Sequence, residues 1–349
     1  MRVSGASRFL SDGGGKPRFA VGFPTVSELG VKNGMDFAEI GRFFEEHDCY
    51  SILTHKSPDG DTLGAGFALC AYLRSMGKKA NVLNGEGFPS RYSFMYEGYE
   101  PQDFEEKCVI AVDIADTKLL GSGLAQYAEP GKIDLCIDHH ISNKYYAKES
   151  YVDGEASAAC LILYELFKEL GRPISDLIAK CLYTGIATDT GCFKYENTTP
   201  KAHIAASELI QYDIGFSIIN REMFDIKSKG RIAAEKLVMD SMEFLCGDKC
   251  AVIVMTTEMM DSCGIEPAEF EGMASIPLSV EGIKIGITIK QRHENVYKLS
   301  VRTTEELDAS AFCRQFGGGG HIRAAGCEIQ GTLEEVKDKV AEAVMGLGL

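Results

Sequence analysis

Long apolar runs, basic residues and histidines are what this 349-residue chain has little of. No apolar stretch approaches the roughly 18 residues of a membrane-spanning helix, which argues against a membrane protein. The Gly-rich, mildly basic first 34 residues lack the continuous apolar core of a secretory signal and read as a loose arm. Lys and Arg total 36 against 51 Asp and Glu, a formal net charge of −15. Such a surface opposes tracking along a long polyanion, whose binding depends on many neutralised phosphates. Long duplex nucleic acid is therefore an unsuitable partner, whereas a small phosphorylated ligand in one locally positive pocket is allowed. The twelve cysteines lack zinc-finger spacing; the nearest pair, Cys246 and Cys250, has no second pair or histidine to complete a site. Scattered through runs such as "CVIAVD" and "KCLYTGI", they read as reduced core residues of a cytoplasmic protein. Beyond the arm there is no internal repeat or low-complexity tract.

What remains is the balance of a globular protein, 45% apolar and 25% charged. The length exceeds the roughly 250–300 residues at which one core stops growing, so two domains are expected. From Asp36 helix and strand alternate. Phe37, Ile40, Phe43 and Phe44 fall on one helical face. "YSILTH" reads as a strand and "TLGAGFALCAYLRSMG" as a helix ending at Gly77. "KANVLN", "CVIAVDIAD" and "KIDLCIDHH" are apolar on both faces, as buried parallel strands are. Helices follow at about 156–170 and 175–188, and another opens with Thr199 as N-cap and Pro200 as first helical residue.

Residues 35–212 are thus predicted to form a doubly wound, mainly parallel α/β domain. Residues 213–245, free of Pro and with Gly230 as the one glycine after Gly215, read as a helical linker. Residues 246–349 read as a smaller α/β domain with a mixed sheet, containing a helix near 307–316 before the "GGGGH" loop.

The ionisable residues stand at strand ends: His55 after "SILT", Asp113 after "VIAV", and Asp138, His139 and His140 after "DLCI". Ligands of open parallel sheets bind at the carboxyl ends of the strands. Carboxylates gathered there repel one another unless something positive lies among them, and a bound cation is the economical answer. In "THKSPDGDTLG", Asp59, four residues beyond His55, and Asp61 flank a glycine, although P-D-G alone is an ordinary turn. Asp113 would point into the same cleft, while Asp116 suits a cap. Adjacent residues at a strand terminus diverge, so His139 can be a ligand while His140 faces the substrate. Asp189, in "GIATDTGCF", is placed in a small-residue turn beyond a helix. His55, Asp59, Asp61, Asp113, His139 and Asp189 form an oxygen and nitrogen set without sulfur, suited to manganese or magnesium. Six ligands fit two ions sharing carboxylates, roughly 3.5–4 Å apart, better than one.

The motifs "HKSPDGD", "VDIAD", "DHH" and "TDTGCF", in this order, resemble the DHH phosphoesterase superfamily, and the closing "GGGGHIRAAG" resembles the signature of its DHHA1 subfamily. The likeness spans about residues 36–349 and is greatest to the oligoribonuclease and pAp-phosphatase branch. It implies two divalent cations, manganese favoured and magnesium the alternative. His55 and Asp59 would hold one, Asp61 and His139 the other, with Asp113 and Asp189 shared and Asp138 orienting neighbouring groups. Ala65 stands where Ser is common, and "ASAACLILYEL" lacks a Glu often found there; neither is a ligand position. In the second domain, Gly317 to Gly320 are expected to expose backbone N–H groups to an anion. Arg302, Gly318, Gly319, Gly320 and His321 are the candidate substrate contacts.

The expected activity is metal-assisted hydrolysis of short oligoribonucleotides or pAp without a covalent protein intermediate, with His140 assisting and the second domain closing over the cleft. The alternatives are an enzyme for linear or cyclic dinucleotide signals, a RecJ-like single-strand DNA exonuclease, and a non-catalytic nucleotide sensor. The last predicts a missing ligand, yet all six positions are filled. A homodimer is compatible with the sequence.

Overall fold

The chain was analysed as a computed structural model that describes residues 34–264, 270, 272–304 and 306–349. Apart from Gly34, the expected arm lies outside the described residues. The chain divides into two compact units, the first ending at Phe224 and the second beginning at Asp225.

In the first unit, α1 (Phe37–Glu46) opens with a capping box in which Asp36 and Glu39 satisfy each other's backbone amides. Its Ile40 and Phe44 are fully buried, as the periodicity predicts. The strands β1 (Tyr50–Leu53), β2 (Ala80–Leu83), β3 (Cys108–Val112), β4 (Leu135–Asp138) and β5 (Glu149–Val152) form one sheet in the order β2-β1-β3-β4-β5. Every pairing is parallel. The strand order reverses beside β1, which puts the crevice for a ligand between the carboxyl ends of β1 and β3.

One face of this sheet is covered by α1, α2 (Gly60–Ser75), α3 (Ala159–Leu170), α4 (Asp176–Asp189) and α5 (Pro200–Leu209). The opposite face carries a smaller cluster of Leu53, Val109, Ala111, Ile114, Leu120, Leu124, Ile133 and Cys136, closed by two 3₁₀ segments. The α5 cap is as expected: Thr199 accepts from the Ala202 amide and Pro200 is the first helical residue.

The helix α2 lies unusually close to α4 because both present glycines at the crossing. A Cβ on Gly60 would sit 2.3 Å from Thr188 Oγ1, one on Gly64 2.6 Å from the Cys181 carbonyl, and one on Gly185 2.7 Å from Asp61 Oδ1. This approach sets the start of α2, with Asp59 and Asp61, against the end of α4, with Asp189.

The stretch read as a helical linker is interrupted. Phe216–Asn220 is a short α-helix continued by a π turn over Arg221–Asp225, and a separate helix, Lys229–Asp240, belongs to the second unit. Ser228 interrupts the run by capping the new helix, accepting from the Arg231 amide. In the second unit, β6 (Glu243–Leu245), β7 (Cys250–Met255), β8 (Ile285–His293), β9 (Val296–Thr303), β10 (Gly319–Gly320) and β11 (Ala324–Gln330) form a sheet in the order β10-β11-β9-β8-β7-β6. Only the β7–β8 pair is parallel, so this sheet is mixed, as expected. Its core includes Ile285, Ile287, Leu299, Val301 and Phe312 with Val336, Val340 and Val344 of the helix Leu333–Met345. No described helix is long and apolar enough to cross a membrane.

Candidate metal centre

Each candidate ligand is placed by a local constraint. Asp59 is the N-cap of α2, where its Oδ1 accepts from the Asp61 and Thr62 amides. Asp61, in the first turn of α2, is fully buried. Its two oxygens accept from the Ala159 and Cys160 amides, at 2.7 and 2.9 Å. Ala158 has no capping side chain of its own, so a carboxylate nearly a hundred residues away caps α3. Asp113 leaves β3 with a left-handed φ of 58°, a conformation Asp and Asn adopt more readily than most side chains. Asp189 is the last residue of α4, which corrects its expected position in a turn beyond the helix. The helix runs to the aspartate, and the chain reverses only after it.

These residues meet in two groups. His55 Nε2 lies 3.7 Å from Asp59 Oδ1 and 3.6 Å from Asp113 Oδ2. His139 Nε2 lies 3.9 Å from Asp61 Oδ2, 3.5 Å from Asp189 Oδ2 and 3.4 Å from Asp113 Oδ1. Asp113 thus turns one oxygen to each group. Asp189 lies against His139, and the charge of Asp59, in the other group, also acts on it.

The histidine tautomers follow from their second nitrogens. His55 Nδ1 lies 2.7 Å from the Lys56 carbonyl and His139 Nδ1 3.2 Å from the Ala156 carbonyl. In the neutral rings each Nδ1–H donates to its carbonyl, leaving the Nε2 lone pair facing carboxylates. Acceptor then faces acceptor, and Asp113 Oδ1 is buried with no hydrogen-bond donor. Two remedies exist: protonated imidazoles, or cations between the groups. The oxygen and nitrogen donors and the unsatisfied oxygen fit divalent cations.

Without cations the electrostatics favour the protons. Burial alone would lower the His55 value, but contacts with Asp113 and Asp59 outweigh it and push it up to about 11. For His139 burial is likewise outweighed, by Asp113, Asp61 and Asp189, giving about 10. Burial, reinforced by Asp113 and Asp189, raises Asp61 well above the carboxylate range. Burial, partly opposed by His139 and reinforced by Asp113 and Asp59, raises Asp189 to about 6.

His140 is held differently. Its Nδ1 lies 3.5 Å from Asp113 Oδ1 but only 2.8 Å from Asp138 Oδ1, and the shorter contact claims the proton. The ring is half-exposed and keeps Nε2 for a ligand. Asp138 is fully buried and also accepts from the His139 amide and from Asn143 Nδ2, at 2.9 and 2.6 Å. Burial disfavours its charge, yet the bonds from His140 and Asn143 hold its value below the ordinary one.

Residues 50–186 match the model of the DHH family N-terminal domain, and residues 248–346 match that of the DHHA1 domain. The chain carries a DHH-family domain followed by a DHHA1 domain. It is 29% identical over 302 residues to the bifunctional oligoribonuclease and PAP phosphatase NrnA of Thermus thermophilus, covering 84% of this chain and 88% of the relative. The namesake from Bacillus subtilis is 25% identical over 297 residues, 83% of this chain and 92% of the relative. The crystal structure of an exopolyphosphatase-related protein from Bacteroides fragilis superposes with a TM-score of 0.76 at 25% identity, covering 89% of this chain and 95% of that one.

In the DHH domain, sequence reasoning missed Asn143, a buried residue that also donates to the Ile114 carbonyl. Its only signal was its place five residues beyond Asp138. Asn143→Ala leaves Asp138 Oδ2 without its donor, and a loss of about 1–3 kcal/mol is expected in urea unfolding. An unchanged midpoint would mean that water replaces the amide.

In the DHHA1 domain the expected anion nest is corrected. The Gly317 and Gly318 amides donate to the Arg314 and Cys313 carbonyls at the end of the helix Ala309–Arg314, so they are not offered to a ligand. Gly318 and Gly320 are glycines for packing, since a Cβ would lie 2.3 Å from the Gly326 carbonyl oxygen or 2.7 Å from Ala325 Cα. At Gly319 a Cβ would meet nothing. His321 forms the hairpin turn with Ala324 and its side chain is exposed. Arg302 pairs with Ala324 across β9 and β11, at the same end of the sheet. Arg323 donates to the Thr304 and Leu307 carbonyls, bracing the loop before the helix.

Proposed function

We propose that this protein is a metal-dependent phosphoesterase that hydrolyses short oligoribonucleotides and linear dinucleotides to mononucleotides, and pAp to AMP. The observation that carries the reading is Asp113, whose two oxygens face two separate groups of ligands. His55, Asp59 and Asp113 would hold one divalent cation, and Asp61, His139, Asp189 and Asp113 a second, with manganese favoured. A pair of such ions lowers the pKa of water and neutralises charge at the phosphorus under attack. Asp59 and Asp61 keep their orientation because backbone amides hold their oxygens, and the two Nε2 atoms because carbonyls hold the Nδ1 of each ring. His140, aligned by Asp138, directs Nε2 to a phosphoryl oxygen or passes a proton to the departing oxygen. Arg302 and His321 bind phosphate, and Gly319 leaves the β10 edge open to close approach. The names of the Thermus thermophilus and Bacillus subtilis relatives support this substrate class. The net charge of −15 favours short substrates over long strands.

The test is product analysis after incubating the manganese-loaded protein with RNA of two to five nucleotides and, separately, with pAp. Mononucleotides and AMP are expected. No turnover of either by folded, metal-loaded protein would overturn the substrate assignment.

A further inference from the structure

Immediately beyond Asp189 the backbone adopts a costly course. Gly191, Cys192 and Phe193 all have left-handed φ values, of 56°, 58° and 62°. Two of them are not glycine, and each such residue costs roughly 1–2 kcal/mol. The strain is held by bonds converging on the end of α4. The Cys192 amide donates to the Ala187 carbonyl, the Phe193 amide to Thr190 Oγ1, and the Lys194 and Tyr195 amides both to the Thr190 carbonyl. The returning strand is pinned where Asn197 Nδ2 donates to the carbonyls of Asp189 and Ser157, each at 3.1 Å. Phe193 is anchored by its stack on His203, 5.2 Å between centroids.

The product of this arrangement is the placement of Tyr195. Its ring lies flat against Gly191: a Cβ there would fall 2.3–2.6 Å from ring atoms Cζ, Cε2 and Cε1. Yet the residue is 62% exposed, among the most exposed large apolar groups described. A tyrosine recruited for packing would bury both faces. Here one face is fixed on backbone and the other is left to solvent, within six residues of a carboxylate of the metal centre. Ile141, 87% exposed, stands next to His140 and adds a second uncovered apolar group beside the centre. Strained segments that over-determine one side chain are characteristic of ligand clamps.

We infer that Tyr195 is a stacking platform for a nucleobase of the substrate, held ready by the left-handed turn 191–193. The inference rests on the proposed nucleotide chemistry and deepens it. Aromatic rings accept any base through its π face, which suits an enzyme acting on short strands of varied sequence. The occupant is a base attached to the phosphate engaged at the metal centre.

Calorimetric binding of AMP and of ribose 5-phosphate to the full manganese-loaded chain separates the base from the phosphate. Tyr195→Ala is expected to weaken AMP about tenfold, within the range for losing one stacked base, and to leave ribose 5-phosphate unchanged. Tyr195→Phe keeps the π face and should bind AMP as the parent does. Gly191→Ala, which fills the seat of the ring, should reproduce the Tyr195→Ala pattern. Equal weakening of both ligands in Tyr195→Ala, or no weakening of AMP, overturns the platform. Binding is read without turnover, so a chain that shows the AMP-selective loss but cleaves no RNA would refute the proposed activity and retain the platform.

Discussion

Asp113→Asn is expected to lower kcat by about a thousandfold, the scale of losing one preorganised charged group at a reacting centre, while the chain stays folded. Asparagine matches the shape of aspartate and tolerates the left-handed φ of this position. What it loses is the charge shared between the two ligand groups. Its amide would also turn a donor towards one Nε2 and an oxygen towards the other. Manganese content per chain should fall along with activity, because the first group keeps only Asp59 as an anionic ligand and the second only Asp61 and Asp189. Steady-state kinetics with elemental analysis of the dialysed protein check this. Activity within tenfold of the parent would mean that Asp113 is not the bridge.

The second large effect is the proton cost of metal binding. In the metal-free chain His55 and His139 hold protons up to about 11 and about 10, against an ordinary value near 6.5. A cation needs the neutral rings, so binding at pH 7 should release about two protons. Manganese affinity should then weaken about a hundredfold for each unit the pH falls, and more steeply below about 6 as Asp189 is protonated. Titrations in buffers of different ionisation enthalpy count the protons directly.

The stability of the metal-free chain follows the same sign. The raised histidine values contribute stability that is fully present below about 6.5 and is lost as the pH rises through the folded values. Asp189, also raised, holds its proton more tightly when folded, so its stabilisation is lost between about 3.8 and about 6. Chelator-treated protein should therefore melt earlier as the pH climbs, and the advantage of the manganese-loaded form should widen. A pH-independent affinity would contradict the geometry of both groups.

The strand ends made the centre legible before any coordinates. An apolar run such as "VIAVD" that stops at a carboxylate has no packing reason to do so, and a parallel sheet delivers all such stops to one edge. The expected divergence of His139 and His140 is not what the structure shows: their ring centroids lie 4.5 Å apart and both rings reach Asp113 Oδ1, and the contact with Asp138, rather than the strand terminus, sets His140 apart. Less visible were features that depend on contacts far apart in sequence. Asp61 capping α3 joins residues with no local pattern between them. Asn143 is one polar residue in a polar turn. Strand β5, "ESYV", is a partly exposed edge strand without an apolar run, and went unrecognised. The glycine run of the second unit misled because glycine serves close backbone packing as readily as anion binding. At Gly318 and Gly320 only the neighbouring strand distinguishes the two uses.

The most direct test of the shared carboxylate is an anomalous-difference map from crystals soaked in manganese. Two peaks are predicted in the first unit, one bounded by His55, Asp59 and Asp113 and the other by Asp61, His139, Asp189 and Asp113. A single peak, or a pair that leaves Asp113 outside its ligand shell, would contradict the account.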